Sequence, residues 1–131
     1  MKTEYFDIGD DDWGIVLCYD YDVDDYGKLW RIIRTFGVPD DNAQAAMGVL
    51  SKPNTGMTIT SMQDMMSVIL ISRATSDAEW FDTLIHELKH VVEHISEFYR
   101  VDPKSEAAAY LQGEIGRQLF PLIMQKMCRK E

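Results

Sequence analysis

The sequence is poor in cysteine and has no long apolar run. Its two cysteines, Cys18 and Cys128, lie near opposite ends and form no CxxC pair. We therefore predict free thiols in a reducing compartment, and the spacing argues against a structural zinc site built on cysteine. No stretch approaches the roughly 20 apolar residues that cross a bilayer, and the acidic segment from Met1 to Asp12 lacks the apolar centre of a signal peptide. We expect a cytoplasmic protein without a membrane partner.

Basic residues are also scarce. The chain has 13 Lys and Arg against 22 Asp and Glu, for a net charge of −9. Such a surface repels phosphate groups, which disfavours a nucleic-acid partner. The aspartates that begin at Asp20 suggest calcium, but an EF-hand loop needs Gly where Asp25 stands and Glu where Arg31 stands. Calcium binding of that type is excluded.

What is present is the composition of one globular domain. The 131 residues are 46% hydrophobic, and no repeat or linker divides them, so residues 1–131 are expected to form a single domain. Apolar and β-branched runs predict strands from Trp13 to Tyr21, from Thr55 to Ser61 and from Met65 to Ser72. Helical spacing predicts a helix capped by Asp24 or Asp25 that runs to about Phe36, and a second one capped by Asp40 or Asp41 that runs to about Leu50.

The second half is predicted to be helical. Ser76 is a candidate N-cap of a long helix, with Glu79 three residues on. Another helix is expected from Asp102-Pro103 to about Ile115, and a last one from Gln118 to Lys130. The fold class is therefore α+β. The long helix has one broad apolar stripe: Phe81, Leu84, Ile85, Leu88, Val91, Val92, Ile95, Phe98 and Tyr99.

The long helix contains the pattern HExxH, as His86-Glu87-Leu88-Lys89-His90. Residues four apart lie one above the other on a helix face, so both imidazoles can reach one Zn²⁺ ion. The adjacent Glu87 can accept a proton from a water on that ion. The histidines lie opposite the apolar stripe, which predicts either a cleft with a metal site or a solvated face that merely carries histidines.

A catalytic zinc usually has a third protein ligand. The longer HExxHxxGxxH form is absent, because Glu93 and Ser96 stand where its Gly and third His would be. A downstream carboxylate is therefore needed. The candidates are Glu97, Asp102, Glu106 and Glu114.

The motif and the following Glu106-Ala-Ala-Ala-Tyr110 stretch resemble minimal gluzincin-like proteins of phages and bacteria. The chain is similar there to the peptidase domain of the ImmA/IrrE group, over about residues 71–116. The resemblance implies a minimal zincin-like fold in which His86, His90 and Glu106 hold Zn²⁺ and Glu87 is the general base. Tyr110 stands where the thermolysin-like ExxxD pattern has its Asp.

Helix geometry leaves the third ligand open between two residues. If the motif helix runs straight and the next one folds back, Glu106 lies roughly 15 Å along the axis from the histidines, and Glu114 is nearer. Glu106 fits if the helix ends soon after His94 or if the helices cross steeply. Tyr110 is a candidate donor to the oxyanion of a reaction intermediate, or else a partly buried aromatic residue.

Two functions follow from these residues. The first is a zinc-dependent peptidase that cleaves a peptide or protein substrate, which adds as a strand beside the one from Met65 to Ser72. In this interpretation that strand is the sheet edge beside the cleft. The second is a non-catalytic zincin-like protein whose acidic surface binds a host or partner protein. His94, one turn past His90, is interpreted as a surface histidine or as the donor of a transition-state hydrogen bond.

Overall fold

The computed structural model describes residues 1–9 and 12–128. It has an α+β fold, which confirms the fold class predicted from sequence. The strands are β1 (Lys2–Ile8), β2 (Trp13–Tyr19), β3 (Gly56–Ser61) and β4 (Met66–Ile71). The helices are α1 (Tyr26–Thr35), α2 (Asp40–Leu50), α3 (Asp77–Phe98) and α4 (Glu106–Cys128).

The four strands form one mixed sheet in the order β1-β2-β4-β3. The outer pairs, β1 with β2 and β3 with β4, are antiparallel, whereas β2 and β4 are parallel. The strand just before α3 is therefore an interior strand, and the prediction that it forms the sheet edge is wrong. The hairpin partner β3 takes the edge, because β4 is too apolar to leave one side open to water.

Helices cover both faces of the sheet. Successive side chains of a strand point to opposite faces, and β4 illustrates this alternation. Val68 and Leu70 pack with residues of α1 and α2. Ile69 and Ile71 instead pack with residues of α3 and α4. The chain thus has two apolar layers, and the HExxH helix lies on the face opposite α1 and α2.

The α3 helix begins and ends much as its sequence indicates. The backbone N–H of Glu79 donates to the hydroxyl of Ser76 at 3.1 Å, so the predicted N-cap is confirmed. The helix then runs for 22 residues to Phe98. Its buried face is displaced from the predicted stripe, because Phe81 and Ile85 are exposed whereas Glu87 is buried.

The chain after α3 forms one helix where two were predicted. α4 runs unbroken through Gly113, Gly116 and Pro121. Its buried side chains recur at helical spacing on both sides of the glycines, and their packing outweighs the poor helix propensity of those residues. The predicted end at Lys130 lies outside the described residues. The buried side chains are Ala108, Ile115, Leu119 and Leu122.

β1 was not predicted from the sequence. Its side chains are mostly exposed or half-buried, and only Ile8 is fully buried, so its alternation is hidden by charged residues. β1 lies at the edge of the sheet opposite β3, and α4 contacts it. Among the described residues, none of the helices combines the length and the hydropathy of a membrane span.

Packing of α4 through one face predicts unequal effects of two truncations. Ile115→Ala removes a fully buried side chain and should lower the free energy of unfolding by about 2–4 kcal/mol. Phe120→Ala removes a larger side chain that is 58% exposed, and should change it by less than about 1 kcal/mol. Urea unfolding of both variants measures the difference. Equal losses would contradict this packing of α4.

Candidate metal centre

Three side chains of α3 converge on one point. His86, Glu87 and His90 each offer one ligand atom, and these atoms lie within 4.8 Å of one another. We call these three residues the HEH group. In the part of the chain that the structure describes, no other set of three or more His, Cys, Asp or Glu side chains converges in this way. The two imidazole rings meet edge to face, with centroids 5.1 Å apart.

The HEH group lies where α3 meets the edge strand β3. Glu87 is only 5% exposed, whereas His86 is exposed and His90 half-buried. The hydroxyl of Thr58 on β3 donates to Oε1 of Glu87 at 2.8 Å and lies 3.2 Å from its backbone oxygen. A buried carboxylate is costly unless it accepts hydrogen bonds, so Thr58 stabilises Glu87 and fixes its direction.

Gly56 allows this close approach of strand and helix. A Cβ atom at this position would lie 2.8 Å from Cγ2 of Thr83 and 2.9 Å from Cγ of Glu87, closer than such atoms pack. Gly56 and Thr58 point to the same face of the sheet because they are two residues apart. Gly56 leaves room for α3, and the hydroxyl of Thr58, next along the same face, donates to the carboxylate of Glu87.

Glu93 contacts the HEH group from its outer side. Its Oε1 lies 3.4 Å from Nδ1 of His90, and its Oε2 lies 3.5 Å from Nζ of Lys89. A carboxylate beside one ring nitrogen favours a proton on that nitrogen and leaves the other free to bind a metal. This arrangement suits Nε2 of His90 for metal binding.

The structure does not bring Glu106 into the HEH group. Glu106 is the exposed first residue of α4. α4 contacts α3 and β1, whereas the HEH group lies beside β3 at the opposite edge of the sheet. α3 also continues past His94 to Phe98, about 12 Å along the axis from His90. The early helix end that would shorten this path does not occur.

The other predicted carboxylates and Tyr110 also lie apart from the group. Arg117 and Gln118 donate hydrogen bonds to Glu114, and these lower its pKa. Asp102 accepts from the backbone of Lys104 in the turn before α4. Tyr110 is 74% exposed on α4, so its predicted role as an oxyanion donor has no contact with the HEH group to support it. Glu97 is exposed on the last turns of α3.

Sequence reasoning did not find the β3 residues that support the group. The signal was present as alternation, since Gly56, Thr58 and Thr60 share one face of a strand whose other face carries Met57 and Ile59. When one face of a strand carries small or polar residues and the other carries apolar ones, the small or polar face is expected to contact the polar side of a helix. Nothing in the sequence alone showed that this flank was the HExxH side of α3.

Comparison with known proteins gives no further guide to the site. No protein-family model, curated protein or solved structure matches the chain.

The contact at Gly56 predicts opposite effects of two glycine substitutions. Gly56→Ala adds a methyl group against Thr83 and Glu87, and should lower the free energy of unfolding by about 1–3 kcal/mol. Gly48→Ala lies in α2 with no atom within 4 Å of the new Cβ, and should raise it by about 0.5–1 kcal/mol. Thermal or urea unfolding measures both, and a stabilising Gly56→Ala would contradict the close approach.

Proposed function

We propose that the chain is a zinc-dependent hydrolase that cleaves peptide bonds at the HEH group. One observation carries the proposal: the ligand atoms of His86, Glu87 and His90 lie within 4.8 Å of one another while Glu87 is buried and held by Thr58. A surface that merely carried histidines would have no need of a buried, oriented carboxylate between them.

The donor set suits zinc. The imidazoles of His86 and His90 are borderline ligands that Zn²⁺ binds in proteins, whereas Mg²⁺ and Ca²⁺ favour sites made of oxygen. Glu93 beside Nδ1 of His90 is the outer carboxylate that often accompanies a metal-binding histidine. When bound, zinc lowers the pKa of a coordinated water toward 7 and polarises a carbonyl group.

Glu87 is placed to move protons. Its Oε1 accepts from Thr58, and this bond leaves Oε2 as the oxygen that can accept a proton from the attacking water. The water oxygen then bonds to the carbonyl carbon, the carbon–nitrogen bond breaks, and Glu87 returns the proton to the departing amine. The hydroxyl of Thr58 keeps the carboxylate in one orientation during both transfers.

The edge strand supports a peptide as the substrate. In the described part of the chain, β3 pairs with β4 alone, so its outer side offers unpaired backbone groups next to the HEH group. An extended peptide can add to such an edge through main-chain hydrogen bonds. The net charge of −9 favours peptides with basic residues.

The ligand count favours a second candidate function. Glu106 lies outside the HEH group. Among the residues that the structure describes, the two histidines therefore have no separate third side chain beside them that would complete a catalytic zinc site. A protein that binds metal or a basic partner without catalysis also fits such a set. A hydrolysis assay distinguishes the two functions, because only the enzyme depends on the proton transfers of Glu87.

Metal content and turnover test the proposed function together. We expect about one zinc per chain, its loss in His86→Ala, and its retention in Glu87→Gln, Glu106→Ala and the exposed control Lys89→Ala. Turnover of a basic peptide library should fall by about 10²–10⁴-fold in Glu87→Gln, because the general base is gone, and stay near the wild-type rate in Lys89→Ala.

Three results would contradict parts of the proposed function. Full turnover in Glu87→Gln would exclude this mechanism. Loss of zinc in Glu106→Ala would restore Glu106 as a ligand. Bound zinc without turnover of any peptide would favour the non-catalytic function.

A further inference from the structure

His94 ends a line of four hydrogen-bonded side chains. Its Nδ1 lies 2.7 Å from the hydroxyl of Thr60 on β3. That hydroxyl lies 2.7 Å from the hydroxyl of Ser67 on β4, and Nε1 of Trp13 on β2 donates to Ser67 at 3.1 Å. The line therefore crosses three neighbouring strands and reaches α3 one turn after the HEH group. We call these four side chains the relay.

The indole of Trp13 sets the direction of the relay. An indole N–H can only donate, so the Ser67 hydroxyl must accept from it. Trp13 and Ser67 are both fully buried, so water does not supply other partners. If Ser67 then donates to Thr60 and Thr60 donates to His94, each hydroxyl gives one hydrogen bond and receives one.

The opposite direction leaves a buried proton without an acceptor. If Nδ1 of His94 donated to Thr60, then either Thr60 or Ser67 would receive two hydrogen bonds while its own O–H had no described acceptor. An unsatisfied polar group in a buried site costs about 1–3 kcal/mol. The favoured direction therefore makes Nδ1 of His94 an acceptor and places the proton of the neutral ring on Nε2.

The resulting N–H lies on the same flank of α3 as the HEH group. The rings of His94 and His90 stack at 26° with centroids 6.5 Å apart. His94 is half-buried, and its Nε2 is not enclosed in the protein without a hydrogen-bond partner. Among the described residues no side chain accepts from this N–H. It is therefore an oriented donor without a described partner, one helical turn from His90 of the HEH group.

We propose that His94 is a further catalytic residue, whose Nε2–H donates a hydrogen bond to the carbonyl oxygen of the scissile bond. This inference rests on the proposed function. A donor that is already oriented stabilises the negative charge that develops on that oxygen, without reorganisation during the reaction. Thr60, Ser67 and Trp13 are positioning residues, because they act through the tautomer and orientation of His94.

The tautomer can be measured without metal, substrate or turnover. In alkaline solution, where imidazole is neutral, long-range ¹H–¹⁵N correlation spectra of the full chain show which ring nitrogen of His94 carries the proton. We expect Nε2–H in the wild type and in Thr60→Ser, which keeps the hydroxyl. Thr60→Val removes it and should give a mixture of tautomers. A wild-type ring protonated on Nδ1 would overturn the inference.

The donor role needs a second measurement on zinc-loaded protein. His94→Phe should keep the wild-type zinc content, lower kcat by about 10²-fold and weaken binding of a phosphinic peptide, which mimics the tetrahedral carbon, by about 10-fold or more. His94→Gln keeps an N–H donor and should lose less of both. The kcat and the phosphinic-peptide affinity of Thr60→Val should lie between those of the wild type and His94→Phe. Those of Thr60→Ser should stay near the wild-type values.

These results separate the inference from the proposed function. Loss of zinc in His94→Phe would make His94 a ligand, and unchanged kcat with unchanged phosphinic-peptide affinity would make it a bystander; either overturns the donor role while leaving a metal hydrolase possible. A wild type that binds no zinc would overturn the proposed function and the donor role together, whereas the tautomer measured in metal-free protein would still decide whether the relay exists.

Discussion

The contact between β3 and α3 is the constraint on which the site depends. Gly56 lets the strand come against the helix, and Thr58 then meets a carboxylate that would otherwise be buried without a partner. Because Glu87 is fixed there, its neighbours His86 and His90 are held on the flank of α3 that borders the sheet edge. Without this contact α3 could rotate, since its apolar stripe alone tolerates some displacement, and Phe81 and Ile85 already lie outside the buried face.

The polar row on β3 also explains how a small domain carries a polar site beside its core. On the same face of the sheet, β2 and β4 present Trp13, Ile15 and Ile69, which are fully buried. The face becomes polar toward β3, where the hydroxyls of Thr58 and Thr60 are hydrogen-bonded to Glu87 and His94. The apolar part stabilises the packing of α3, and the polar edge orients its chemical groups. Ser67 and the indole N–H of Trp13 join the two parts.

The sequence predicted the elements with strong local signals and missed what depends on tertiary contact. The strands β3 and β4, the Ser76 cap and the HExxH helix carry periodicity or capping residues, and the structure contains them. β1 was missed because its side chains are mostly exposed or half-buried and its charged residues hide the alternation. The placement of Glu106 depends on which side of α3 is covered by α4, and no local pattern encodes that choice. Glu87 was predicted as a base, but its burial depends on Gly56, about thirty residues earlier.

The most direct test of the central claim is the zinc-edge X-ray absorption spectrum of the zinc-loaded protein, which reports the number and kind of atoms bound to the metal. We expect two imidazole nitrogens at about 2.0–2.1 Å, with nitrogen or oxygen atoms in the remaining positions. A shell made only of oxygen would place the metal on surface carboxylates. Sulfur at about 2.3 Å would place it on a cysteine. Either result would contradict a metal centre built where α3 meets β3.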